Sequence, residues 1–108
     1  MGTVISPDGR FEWDENKNIL NREDHGFYFE EILAVFDDPF FLEAYDRDHS
    51  NLDEIRMKGI ASFDQRIYFF LSYTVRGERT RLISARLAEP HERKFYDENC
   101  WQQITDYE

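Results

Sequence analysis

The chain has 108 residues, of which 41 % are hydrophobic and 17 % aromatic, with 13 Lys+Arg against 23 Asp+Glu for a formal net charge of −10. That length fits one domain spanning 1–108, and 10 Phe, 6 Tyr and 2 Trp are more than a disordered acidic tail carries. The lone Cys100 excludes an internal disulfide and a multi-cysteine metal site, no apolar run approaches the ~20 residues of a membrane span, and the acidic balance opposes loose nucleic-acid binding through bulk phosphate attraction.

Met1–Gly9 reads as a frayed start with a turn at Pro7-Asp8-Gly9. Met1–Arg10 lacks the apolar stretch of a secretory leader, so a reducing cytoplasmic setting is expected. Arg10–Trp13 alternates as a short strand. Asp14 then stands where a helix over about 15–24 needs a cap, with Gly26 just past its end. Phe29, Ile32, Leu33 and Phe36 recur at helical spacing, and Pro39 closes that helix. Beyond Pro39 the period falls to two. Strands are expected over 40–46, 54–62, 66–75 and 79–87, joined by turns at Asp48–Asn51, Asp64-Gln65 and Arg76-Gly77-Glu78. Pro90 suits the first turn of a last helix running to about Asn99, with Phe95 inward, followed by an acidic tail around Trp101 and Ile104.

The order β-α-α-β-β-β-β-α predicts an α+β fold: a small antiparallel meander with two N-terminal helices and one C-terminal helix. The helices must cover the Ile67/Phe69/Leu71 face, leaving the opposite face polar and partly cationic.

Charge is distributed unevenly. Residues 1–54 hold 4 basic and 15 acidic side chains, whereas 55–108 hold 9 and 8. Within 76–94 lie Arg76, Arg79, Arg81, Arg86, Arg93 and Lys94, against Glu78, Glu89 and Glu92. There is no phosphate-binding glycine loop, and His25, His49 and His91 have no metal-ligand spacing, so neither a metal nor a cofactor is expected. No cation neighbours Cys100 to favour a thiolate. The chemistry-bearing set is instead Glu54 with Arg56 on one strand face and Arg79 with Arg81 on another. Arg86 has the opposite parity to Arg81, and the two share a face only if a bulge intervenes or Arg86 lies past the strand end. Planar guanidinium donors bind phosphate oxygens and stabilise charge developing on them. Attack of a ribose 2′-hydroxyl on the neighbouring phosphate needs only a base, an acid and such stabilisation.

Phe11-Glu12-Trp13-Asp14-Glu15-Asn16-Lys17, Asn21, His25-Gly26, Phe29-Glu30-Glu31 and Val35-Phe36-Asp37-Asp38-Pro39 resemble the start of the BrnT family of bacterial toxins. Tyr73-Thr74-Val75-Arg76-Gly77, Arg81-Leu82-Ile83-Ser84-Ala85-Arg86 and Glu92-Arg93-Lys94-Phe95-Tyr96 resemble its end, so the match covers about residues 10–96 in order. The resemblance implies a RelE-like fold, a ribonuclease toxin of a type II toxin–antitoxin system, and a BrnA-like ribbon-helix-helix antitoxin through which alone DNA is contacted. Carried over, Arg81 and Arg86 match the family's Arg-containing strand, Glu54 and Arg56 the acidic-then-basic strand before it, and Lys17 and His25 the first helix and its end. Arg56, Arg81, Arg86 and Glu54 are then the catalytic candidates, and Lys17, His25 and Arg79 the RNA contacts. Asp24 and Leu87 stand where the family has basic residues, and Tyr28 where it has a capping Ser or Thr. These departures keep a second reading open: a catalytically attenuated relative that mainly binds an antitoxin.

Overall fold

A computed structural model describes residues 2–106. Asp14 caps the first helix as its position requires, accepting from the backbone N–H of Asn16 (2.8 Å) and Lys17 (3.2 Å). That helix, α1 (Glu15–His25), ends where Gly26 turns left-handed at φ 90° and its N–H reaches the Arg22 carbonyl. The next segment is not one regular helix. A single turn, α2 (Phe29–Ile32), tightens into a 3-10 segment over Leu33–Asp37. The fully buried residues Phe29, Ile32 and Val35 recur every three positions, which matches the 3-10 repeat better than the 3.6-residue one. Tyr28 supplies no side-chain cap, but its N–H donates to the Glu31 carboxylate at 2.9 Å.

The strands are β1 (Thr3–Ile5), β2 (Phe11–Asp14), β3 (Leu42–Tyr45), β4 (Arg56–Phe63), β5 (Ile67–Arg76) and β6 (Arg79–Leu87), and the last helix is α3 (Pro90–Asp106). They form one sheet in the order β1-β2-β6-β5-β4-β3. The four consecutive strands β3 to β6 make the expected antiparallel meander. Within the sheet, two strand pairings differ from the sequence reading. Thr3–Ile5 is a strand paired antiparallel to β2 rather than a frayed end, and β2 runs parallel to β6, so the sheet is mixed.

Phe11, Trp13, Phe69, Leu71, Tyr73, Leu82 and Ala85 form the larger core with Phe29, Ile32 and Val35. The opposite face is not simply polar. There α3 buries Tyr96 and Cys100 against Ile60 and Tyr68. Tyr96, not Phe95, is the inward residue: it is fully buried while Phe95 is 56 % exposed. The Tyr96 hydroxyl donates to Asp38 (2.6 Å) and lies 3.0 Å from Ser62 Oγ, whereas a phenyl ring there would forfeit both contacts and leave Asp38 only the Phe40 and Ser62 backbone N–H groups. The helix also continues past Asn99 to Asp106, so the stretch read as a tail is helical; Trp101 and Ile104 fall outside the described side chains.

One irregularity governs the placement of charge. Ser72 pairs with Ser84, but Tyr73 pairs with Leu82, so β6 holds Ile83 as an extra residue. Arg81 opposite Thr74 and Arg86 opposite Phe70 therefore point to the same face, the one that α3 partly covers.

Candidate functional site

Paired residues across a sheet share a face. The pairings Arg56–Thr74, Thr74–Arg81 and Arg81–Glu12 therefore run one row across β4, β5, β6 and β2. Two strand spacings put the Arg56 and Arg81 backbones ~10 Å apart. Thr74, buried between them, donates its hydroxyl to the Ile55 carbonyl at 2.7 Å and holds the start of β4 in place.

The three candidate arginines each meet a carboxylate, with different edges left over. Arg81 pairs through Nη1 with Glu12 and donates from the same nitrogen to Thr3 Oγ1 at 3.1 Å. Its Nε and Nη2, which together form the side edge of the guanidinium, have no partner among the described residues. Arg56 pairs through Nε with Glu54 at 2.8 Å, which leaves both terminal nitrogens without one. Arg86 is differently engaged. Its two terminal nitrogens grip Glu92 at 2.8 and 3.0 Å, one also reaches the Leu87 carbonyl, and the group lies 4.4 Å from the Phe70 ring centre. Glu92 also accepts the Glu89 N–H at 2.8 Å, so Arg86 clamps the start of α3 to the end of β6.

Glu54 lies just before β4 rather than on it, yet still meets Arg56. The bond from Arg56 holds its carboxyl below the ordinary value of 4.5, and the charges of Arg56, Arg76 and Lys17 act in the same direction. Lys17, exposed in α1 and in no ion pair among the described residues, is therefore within electrostatic reach of the Arg56–Glu54 pair. Burial works against ionisation of Glu92, but the Arg86 bond and the Glu89 N–H win, and its carboxyl also sits below 4.5. Arg79 shares the Arg81 face and donates from Nε to the Gly9 carbonyl at 3.2 Å. His25 is exposed at the end of α1, and no hydrogen bond or ion pair among the described residues joins it to the arginine row. His49 is held by Asp46 at 2.9 Å and His91 lies 3.5 Å from Glu89. Burial pushes the Cys100 thiol up, which fits an inert core cysteine.

Sequence reasoning missed Glu12, Thr74 and Lys58. Glu12 carries a signal in hindsight, being a charged residue in a short strand between two aromatic ones. Lys58 follows Arg56 on the same face, exposed and in no ion pair among the described residues. Two guanidinium edges on one row, each beside a carboxylate, are chemically suited to meet the single phosphates of an extended polyanion.

A family model described as "Ribonuclease toxin, BrnT, of type II toxin-antitoxin system" matches residues 13–92. The crystal structure of the Brucella abortus ribonuclease toxin BrnT superposes with a TM-score of 0.53 at 25 % sequence identity, covering 71 % of this chain and 92 % of that one. No curated protein matches the chain.

Proposed function

The chain belongs to the BrnT family of ribonuclease toxins of type II toxin–antitoxin systems, and on that premise we propose that it cleaves RNA by 2′-hydroxyl attack, without a metal, and so inhibits translation. The 2′-oxygen bonds to the adjacent phosphorus and the bond to the 5′-oxygen breaks. The 2′-hydroxyl proton passes to a base, the departing 5′-oxygen takes one up, and the products carry a 2′,3′-cyclic phosphate and a 5′-hydroxyl. Glu54 serves as the base. Arg81 and Arg56 stabilise charge building on the phosphate, while Lys17 and Arg79 hold the flanking strand. The observation that carries this assignment is the unused guanidinium edge of Arg81 in the same cross-strand row as that of Arg56. Arg86 works mainly through α3, because its terminal nitrogens are already occupied.

The partner in this reading is a BrnA-like ribbon-helix-helix antitoxin, with DNA contacted only through it, in the cytoplasm. Incubation of purified protein with RNA in the presence of a chelator tests the chemistry. Cyclic-phosphate ends are expected, and a 2′-deoxy substitution at the cut site should block cleavage. Products with 5′-phosphate ends would refute the mechanism.

A second reading has its own support. All three arginines hold protein carboxylates, and Asp24 and Leu87 carry no positive charge where the sequence resemblance to the family leads one to expect it. In that reading the chain is attenuated and chiefly binds its antitoxin. Expression of the chain alone separates the two: growth arrest with RNA cleavage supports the enzyme, and normal growth with folded protein accumulating supports the binder.

A further inference from the structure

On the face that carries Arg56 and Arg81, β4 presents Arg56, Lys58 and Ile60 in succession, with steps of ~6.6 Å. The charged part of this track ends in a cleft of about 420 Å³ between the β3 edge and α3. Its floor is apolar, formed by Leu42, Ile60 and Phe70, which lie in one row across three strands. Its wall is Phe95 and Asn99, one turn apart on α3, and its open rim is Lys58. Phe95 is 56 % exposed although its neighbour Tyr96 is fully buried. Asn99 donates its amide N–H to the Phe95 carbonyl at 2.8 Å, and its carbonyl oxygen, without a partner among the described residues, can accept from a ligand. Glu43 also borders the cleft, and one oxygen of its carboxylate accepts from the Tyr73 hydroxyl.

We infer that this cleft holds one unstacked nucleobase of the bound RNA and thereby gives the enzyme a base preference beside the cut. The inference rests on the ribonuclease reading above. The occupant follows from the chemistry of the walls. An exposed aromatic ring offers a stacking surface, an amide oxygen receives an amino or imino N–H, and a lysine in no ion pair among the described residues stands on the same face as Arg56 and Arg81. An acidic peptide would satisfy Lys58 and reach the amide oxygen with a backbone N–H, but its carboxylates offer no flat face to the ring. The volume lies within the ~300–1,000 Å³ of small-ligand clefts. The spacing from Arg56 through Lys58 to the cleft suits successive nucleotides of an extended strand.

The test uses an uncleavable 2′-O-methyl hexanucleotide and a set of analogues, each abasic at one position, with affinity read by fluorescence anisotropy. One abasic position should weaken binding to the wild type about tenfold, the scale of one base–aromatic stack. That penalty should vanish in Phe95→Ala and return in Phe95→Trp, and the Asn99 side-chain amide resonance should shift on binding. Since Phe95 lies outside both cores, the variants should melt within a few degrees of the wild type. No binding, binding indifferent to every base, or a penalty unchanged in Phe95→Ala overturns the inference and leaves the cleft to a protein partner. Cleavage of natural RNA is read separately. RNA cut with no Phe95-dependent base effect removes the base cleft and keeps the ribonuclease; a Phe95-dependent base effect without cleavage does the reverse.

Discussion

Replacing Arg81 by Met disturbs stability and chemistry together, and the structure says how to separate them. The Arg81 and Glu12 side chains are 15 % and 10 % exposed, so the pair is nearer a buried than a surface one. Breaking a buried pair from one side costs ~3–5 kcal/mol and an exposed pair is worth about 0–1 kcal/mol, which places this loss near 2.5 kcal/mol. With a urea slope of about 1.2 kcal/mol/M, the unfolding midpoint should fall by about 2 M. Loss of the phosphate-directed edge should also slow cleavage by about 10- to 100-fold, or ~1.4–2.7 kcal/mol of transition-state stabilisation. Glu12→Gln in the same chain removes the stranded carboxylate, so the double variant should recover most of the stability and none of the activity. Urea denaturation and a cleavage assay below the melting range read the two effects. If the double variant cleaves at the wild-type rate, Arg81 serves only to neutralise Glu12 and the catalytic assignment is refuted.

Three further outcomes follow from the packing. Glu92→Gln should weaken the α3 clamp at neutral pH. The folded Glu92 carboxyl lies below its ordinary 4.5, so its contribution is present above that pH and is lost as pH falls through the folded value. Wild-type and variant stabilities should therefore converge in acid, and a constant gap from pH 7 to pH 2 would argue against the pair. Gly59→Ala should cost about 1–3 kcal/mol, because a Cβ there would lie 2.7 Å from a Phe41 ring that is wedged against Phe36 and Tyr73; an unchanged melting temperature would contradict this. Asn21→Ala should cost ~2–4 kcal/mol by leaving buried backbone groups of Ala85 unpaired. A denaturation midpoint equal to the wild type's would show that water replaces the amide.

Local signals in the sequence were sufficient for much of the fold. Asp14, Gly26, Pro90 and the period-two stretches each act within a few residues, and they place the helix starts and the meander. What stayed hidden depends on distant partners. Nothing near Phe11–Asp14 announces that it will lie parallel to β6, and nothing near Glu12 announces Arg81. Phe95 and Tyr96 are adjacent aromatics, and only the hydroxyl partners Asp38 and Ser62, more than 30 residues away, decide which turns inward. The bulge is the sharpest case. Ile83 is an ordinary strand residue, so alternation alone sets Arg81 and Arg86 on opposite faces; the added residue reverses that. Of the three arginines, the sequence could not rank their availability, because this depends on which guanidinium edge each internal carboxylate takes.

Asn21 has a consequence beyond stability. β2 stops at Asp14, and from there the outer edge of β6 would offer bare peptide groups to any passing chain. The Asn21 side-chain amide both donates to the Ala85 carbonyl and accepts from its N–H at 2.9 Å, imitating one link of a strand that is not there. That seal closes this stretch of the margin to strand addition. A partner seeking to extend the sheet is directed to the two outermost strands, β1 and β3, and the latter borders the cleft beneath Phe95.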